Sequence, residues 1–160
     1  MARRRRTDDE LRAASEHLRY EIGMFDSTAR VLASGVFGPG PATNAFLESF
    51  TVHVRALLQA FYPMNPKAND VLAEDFFDES ELWLTDRGEL PEVLAAVKLR
   101  VGKEIAHLTY ARLDVAPEAK VWNITAIWSA MHEIIRKFSE GVPANRLAAS
   151  WRSTGSGPEA

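Results

Sequence analysis

The sequence predicts an all-α fold, an up-down helical bundle of four long helices plus short extra helices. Apolar residues recur at steps of three and four in four separate segments, which is the period of a helix with one buried face. No segment alternates apolar and polar residues as a half-buried strand would. Glycine and proline separate the four segments, so the helices are expected to pack against one another around one core.

The first predicted helix begins at Thr7, because Thr7 and Glu10 have the spacing of a capping box. It ends near residues 34–35, and residues 38–41, Gly-Pro-Gly-Pro, form the break that follows. Its apolar stripe consists of Leu11, Leu18, Ile22, Phe25, Ala29 and Leu32.

The second predicted helix is capped by Thr43 and continues to about Tyr62, where Pro63 and Pro66 end it. Its core stripe consists of Phe46, Phe50, Val54, Leu57 and Phe61. Another face of the same helix carries Asn44, Glu48, Thr51 and Arg55. His53 flanks the core stripe, and we expect it to be packed and hydrogen-bonded rather than catalytic.

Residues 67–88 have the least regular pattern. A short helix is expected over 71–77, followed by an acidic loop that extends through Trp83. The carboxylates of this stretch are Glu74, Asp75, Asp78, Glu79 and Glu81. Because no glycine-containing calcium-loop spacing accompanies them, we expect a solvated rim and no metal site.

The third and fourth long helices are predicted over about 91–113 and 117–141. Pro91 and Pro117 each suit the first position of a helix, and a glycine supplies the stop at 141. The stripe of the fourth helix is interpreted as core packing and consists of Ile124, Trp128, Met131, Ile135 and Phe138. A short helix is expected over 143–151.

Length and composition indicate one folded domain, residues 9–151, with a basic disordered arm at 1–8 and a flexible tail at 152–160. The chain has no cysteine, which excludes a disulfide framework and a thiolate metal site. No apolar run is long enough to span a bilayer, so no membrane association is expected and a cytoplasmic location is predicted. No P-loop, GxGxxG, HExxH or GxSxG motif occurs, and no cofactor is expected.

The four arginines of residues 3–6 are the most conspicuous charge run. Acidic residues follow them instead of an apolar run, so they do not begin a signal peptide. Without these four, 15 basic residues stand against 22 acidic ones, a net charge of −7. The body is therefore acidic and does not favour stable nucleic-acid binding, whereas a short basic arm of this kind can touch nucleic acid or anionic lipid.

The main candidate site lies late in the third helix. Arg100, Glu104 and His107 are spaced at i, i+4 and i+7, so they point within about 60° of one another. A cation, a carboxylate and an imidazole therefore share one side of the helix, beside an apolar stripe. The chain holds a second arginine–histidine pair, Arg12 and His17, but these lie about 140° apart on a helix and cannot readily serve one centre.

The spacing of Arg100 and His107 resembles the Arg-x(4–6)-His motif that HEPN domains carry in a late helix. The stretches NAFLESFTVHVRALLQAFY at 44–62 and KEIAHLTYAR at 103–112 also look like small uncharacterised bacterial proteins of that kind. Many HEPN domains cut RNA without a metal, so the resemblance implies a metal-independent endoribonuclease. It further implies a homodimer with two facing motifs, and a defence or toxin–antitoxin setting with an antitoxin as partner.

The chemistry of RNA cleavage suits these residue types. Attack by the 2′-hydroxyl needs a base, an acid for the leaving 5′-oxygen, and positive charge near the phosphorane. His107 can act as acid or base, and Arg100 can bind two phosphate oxygens. Glu104 could orient Arg100 or stabilise a protonated His107. Lys103 and Arg112 are candidate substrate contacts.

The same residues also suit a structural role, namely an Arg100–Glu104 ion pair beside an interfacial His107. The alternative function is then a non-catalytic HEPN-like module that binds a protein partner or a nucleotide. Val101 favours this alternative, because the position after the arginine is commonly polar in active members of the family.

Overall fold

The computed structural model describes residues 3–101, 110 and 121–151. Within these residues the chain forms five α-helices and no strand, so the all-α prediction is confirmed. The helices are α1 (Asp8–Ser34), α2 (Pro41–Phe61), α3 (Ser80–Arg87), α4 (Glu92–Arg100) and α5 (Ile124–Gly141). Two short 3₁₀ segments, Ala73–Phe76 and Ala144–Arg146, complete the assigned elements.

Both ends of α1 are as predicted. The amide of Glu10 donates to the Thr7 hydroxyl at 3.2 Å, and the Glu10 carboxylate accepts from the Thr7 amide at 2.9 Å. At the other end Gly35 adopts φ 63°, in the left-handed region that glycine enters without steric cost.

The start of α2 differs from the prediction. The helix begins at Pro41 with Gly40 as its cap, and no side chain caps it. Proline suits the first position because its missing N–H would be unpaired there in any case. Thr43 therefore lies inside the helix, where its hydroxyl donates to the Gly38 carbonyl, and the predicted Thr43 cap is wrong.

The predicted acidic loop is also wrong in part, because residues 80–87 form α3. Trp83, 2 % exposed, anchors this helix in the core. Its ring stacks on Phe77 at 5.1 Å and meets Phe138 edge-on at 5.7 Å between centroids. Burial of one large aromatic side chain outweighs the weak local helix signal of this stretch.

The third predicted helix is described only at its start, as α4, and its continuation from 102 to 109 lies outside the described residues. The fourth begins at Ile124 and not at Pro117, because residues 121–123 are not helical and Asn123 caps α5. The Asn123 side chain accepts from the Ala126 amide at 3.1 Å. In place of the short helix expected over 143–151, the structure has the 3₁₀ segment Ala144–Arg146 and a 3₁₀ turn at 149–151.

The core lies between α1, α2 and α5. α1 packs along α2, while α5 contacts α1, α3 and α4. The centre consists of stacked and edge-on aromatic rings from five fully buried side chains: Phe25, Phe50, Phe61, Phe76 and Phe138. Each such side chain contributes about 2 kcal/mol by leaving water, so this cluster fixes the helices that border the candidate site. Within the described part of the chain, the helices lack the combined length and apolarity of a membrane span.

Candidate functional site

Arg100 is the one member of the predicted site that falls within the described residues. It is the last residue of α4 and is half-buried. The other members, Lys103, Glu104, His107 and Arg112, lie in 102–109 and 111–120, outside the described residues. Their convergence on one centre stays a prediction.

The guanidinium of Arg100 is held against the segment that enters α5. Its Nη1 donates to the Val121 carbonyl at 3.1 Å, and its Cζ lies 4.0 Å from the centroid of the Trp122 ring. A cation over an aromatic face gains about 0.5–2 kcal/mol, depending on how far it is desolvated. These contacts connect the end of α4 to the start of α5 and fix the orientation of Arg100.

Val101, the residue after the arginine, is 3 % exposed and belongs to the hydrophobic core. Its side chain also borders a cavity between α2 and α4. An apolar residue at this position therefore has a packing reason in this fold.

That cavity, here called the α2–α4 pocket, has a volume of about 220 Å³. It is lined by Arg55, Leu58, Gln59, Lys98 and Val101. Among the described residues it has two cations and an amide in its wall and no carboxylate. No sequence motif indicates this site. Arg55 belongs to the polar face of its predicted helix, and Lys98, two residues before Arg100, is not part of the Arg-x(4–6)-His pattern.

Two cations, Lys98 of the pocket wall and Arg87, bind backbone carbonyls at the end of α2. Lys98 Nζ donates to the Tyr62 carbonyl at 2.8 Å, and Arg87 donates to the Phe61 carbonyl with its Cζ 4.3 Å above the Tyr62 ring. Arg87 Nε is buried with no hydrogen-bond partner among the described residues. Burial lowers the pKa of Lys98, and the neighbouring Arg87 charge lowers it further. Among the described residues, no carboxylate contributes to the pKa shift of Lys98.

The arginines of the N-terminal arm have the opposite environment. Arg3 pairs with Asp75 at 2.6 Å and Arg5 with Asp78 at 2.6 Å, while Arg4 pairs with Glu10. Arg6 donates to the Ala68 carbonyl at 2.8 Å. The residues described from 3 to 7 thus lie against the acidic 67–78 stretch.

Two histidine–carboxylate pairs connect α1 to its neighbours. His53 is buried as predicted, and its Nδ1 lies 2.7 Å from a Glu21 oxygen. His132 Nε2 lies 2.6 Å from Asp26 Oδ1, and Trp128 Nε1 donates to the same oxygen at 3.0 Å. Burial of Asp26 raises its pKa, but the hydrogen bonds from His132 and Trp128 outweigh it, and the net pKa is lowered. Both pairs are satisfied internally, which suits a structural role.

In the described part of the chain no group of three histidine, aspartate or glutamate side chains is placed to hold a metal ion. Comparison of the chain with family models, with curated proteins and with solved structures found no match. The function is therefore inferred from the residues of this chain and their geometry.

Proposed function

We propose that the chain is a metal-independent endoribonuclease of the HEPN type, and that it acts as a homodimer. The observation that carries the proposal is the position of Arg100, oriented by Trp122 and Val121 at the end of α4, seven residues before His107. A guanidinium already held in one orientation loses little entropy when it binds a phosphate.

In the proposed reaction, one His107 accepts the proton of the RNA 2′-hydroxyl, and the 2′-oxygen attacks the adjacent phosphorus. The bond from phosphorus to the 5′-oxygen breaks, and His107 of the partner subunit donates the proton that the 5′-oxygen needs. The products are a 2′,3′-cyclic phosphate and a 5′-hydroxyl. Arg100 stabilises the charge on the phosphorane oxygens.

The remaining assignments belong to the same proposal. Glu104 orients Arg100, and Lys103 and Arg112 contact the substrate. The fold of the proposed enzyme is an up-down bundle of four long helices. The enzyme is cytoplasmic and acts in a defence or toxin–antitoxin system with an antitoxin as its protein partner.

The test is cleavage of a single-stranded RNA in EDTA. We expect the wild-type chain to produce 2′,3′-cyclic phosphate ends, and we expect His107→Ala and Arg100→Gln each to lower the rate by about 100-fold or more. His17→Ala is the matched control, because His17 is exposed on α1 and belongs to the pair excluded by spacing. Cleavage that survives His107→Ala would reject the assigned site.

Light scattering tests the dimer separately. A monomer at micromolar concentration would contradict the mechanism, because only one imidazole would then serve each scissile bond.

One observation favours the non-catalytic alternative, a HEPN-like module that binds a nucleotide or a protein. Val101 is buried in the core, whereas the resemblance implies a polar residue beside the arginine in active members. The alternative predicts that the wild-type chain binds a nucleotide or a protein partner and that no cyclic phosphate product forms.

A further inference from the structure

We infer that the α2–α4 pocket is a phosphate-binding subsite, in which Lys98 and Arg55 bind the anion and Gln59 donates an amide hydrogen bond. The inference deepens the proposed function, since it rests on RNA as the substrate and assigns a site for a phosphate away from the scissile bond. It depends on the geometry of described residues in α2 and α4, and not on the residues that follow Val101.

The cations of the pocket wall have hydrogen-bond donors without a partner among the described residues. An ammonium has three N–H groups, and Lys98 uses one of them on the Tyr62 carbonyl. Arg55, which is exposed, makes no hydrogen bond or ion pair with any other described residue. A wall with these free donors and no carboxylate among the described residues fits a ligand that only accepts hydrogen bonds, as a phosphate diester does.

The charge of Lys98 lies next to another positive charge. The charged group that acts on Lys98 among the described residues is another cation, Arg87, so no nearby carboxylate neutralises it. A half-buried ammonium beside a guanidinium is unfavourable unless an anion joins them. Among the described residues Lys98 therefore has no compensating carboxylate, and a bound phosphate would neutralise its charge.

Asp70 lies beside the pocket but not in its described wall. Asp70 Oδ2 accepts from the Lys67 amide at 2.8 Å and from Gln59 Nε2 at 3.4 Å. It lines a second, wider groove of about 460 Å³ that shares Arg55 and Gln59 with the pocket. Gln59 thus faces an acceptor on one side and the pocket on the other.

The dimensions favour a polymer over an isolated ion. The pocket volume of about 220 Å³ is several times the roughly 30 Å³ that a water molecule occupies, enough for one phosphate with part of a sugar. The adjoining groove continues along α2 past two exposed apolar side chains, Val52 and Met64. A strand whose phosphate lies at Lys98 has an open path in that direction, with apolar surface for its bases.

The experiment measures RNA binding in EDTA by fluorescence anisotropy with a labelled single-stranded 12-mer, in the background His107→Ala so that no cleavage occurs. We expect Lys98→Gln to weaken binding by about tenfold, because it removes a charge-assisted hydrogen bond. Lys98→Arg should retain most of the affinity. Arg136→Gln is the control, because it removes the same charge from an exposed position on α5.

Inorganic phosphate at constant ionic strength distinguishes the two sources of the anion. Millimolar phosphate should displace RNA from the His107→Ala protein but not from the His107→Ala, Lys98→Gln double variant. This result supports the subsite as a site for backbone phosphate. If phosphate protects the fold through Lys98 but RNA binding ignores Lys98, the subsite holds free phosphate and the RNA assignment is overturned.

Equal losses in Lys98→Gln and Arg136→Gln would overturn the subsite, since the effect would then be general electrostatics. The proposed function fails separately. RNA binding that depends on Lys98, without any cleavage by the wild-type chain, would leave the subsite intact and remove the nuclease. Cleavage that depends on His107, with kcat/KM unchanged by Lys98→Gln, would do the reverse.

Discussion

Two cationic regions of this molecule differ in what neutralises them. The N-terminal arm meets three carboxylates, and nearby Arg146 joins the same network through Asp8 and Asp78 at 2.8 and 2.6 Å. In the α2–α4 pocket, Arg55 and Lys98 meet no carboxylate among the described residues. Three arginines of the conspicuous run are thus paired with carboxylates, whereas the structure describes no carboxylate partner for the two inconspicuous cations of the pocket. Charge that the fold leaves uncompensated is the better guide to an anionic ligand.

The largest expected effect in the compensated region is at Arg146, which is 7 % exposed and also donates to the Phe76 carbonyl at 2.9 Å. Arg146→Met keeps the length of the side chain but removes all these hydrogen bonds. We expect the free energy of unfolding to fall by about 2 kcal/mol, measured by urea denaturation. Arg136→Met, at an exposed position, should lower it far less. Equal losses would show that the network contributes no more than surface ion pairs.

In the uncompensated region the expected effect is stabilisation by added anion. Phosphate at five times its dissociation constant should stabilise the folded chain by about 1 kcal/mol, which raises Tm by about 2–4 °C. Lys98→Met should lose this increase relative to chloride at equal ionic strength. Phosphate also stabilises proteins by exclusion from their surface, so the difference between the two proteins is the quantity to measure. The same increase in both proteins would contradict the subsite.

The third prediction concerns pH. The hydrogen bond from Arg4, with that from the Thr7 backbone, lowers the pKa of Glu10 to about 2. Because this pKa lies below its ordinary value of 4.5, Glu10 contributes stability at neutral pH that is lost as pH falls from about 4.5 towards 2. The difference in unfolding free energy between the wild type and Glu10→Gln should therefore shrink over that range, in urea titrations at several pH values. A difference that stays constant would show that the Arg4 contact does not persist in solution.

The smallest expected effect is that of the arm on RNA binding. Arg3→Gln with Arg5→Gln removes two charges, yet RNA affinity should change by less than about twofold, because both side chains are already paired with Asp75 and Asp78. The same anisotropy assay compares this double variant with Lys98→Gln. An arm variant that weakens binding more than the single pocket variant would reverse the comparison.

Local signals were enough to predict α1. Thr7, Glu10 and Gly35 act on residues within a turn of themselves, so the capping box and the left-handed stop could be read from the sequence. The start of α2 was missed because Pro41 and Thr43 offer competing local signals. Local signals predict a loop at Trp83. The helix α3 forms because the Trp83 ring is buried against residues from other elements, which local signals do not report.

The candidate site also has one part that local sequence spacing indicates and one part that depends on tertiary packing. Helical spacing within one segment selects Arg100, whereas its contacts with Val121 and Trp122 come from another segment and have no local sequence signal. Arg55 and Lys98 are far apart in the sequence and border one cavity only because α2 and α4 pack together. That the described wall holds two cations and no carboxylate is a tertiary property, so no motif could have indicated it.

The most direct measurement is a titration of the ¹⁵N-labelled chain with inorganic phosphate, followed by amide chemical shifts at constant ionic strength. Our account predicts saturable shifts at Gln59, Lys98 and Leu99, none at residues 3–6, and loss of the shifts in Lys98→Met. Shifts confined to the arm, or no saturable shift in α2 and α4, would contradict it.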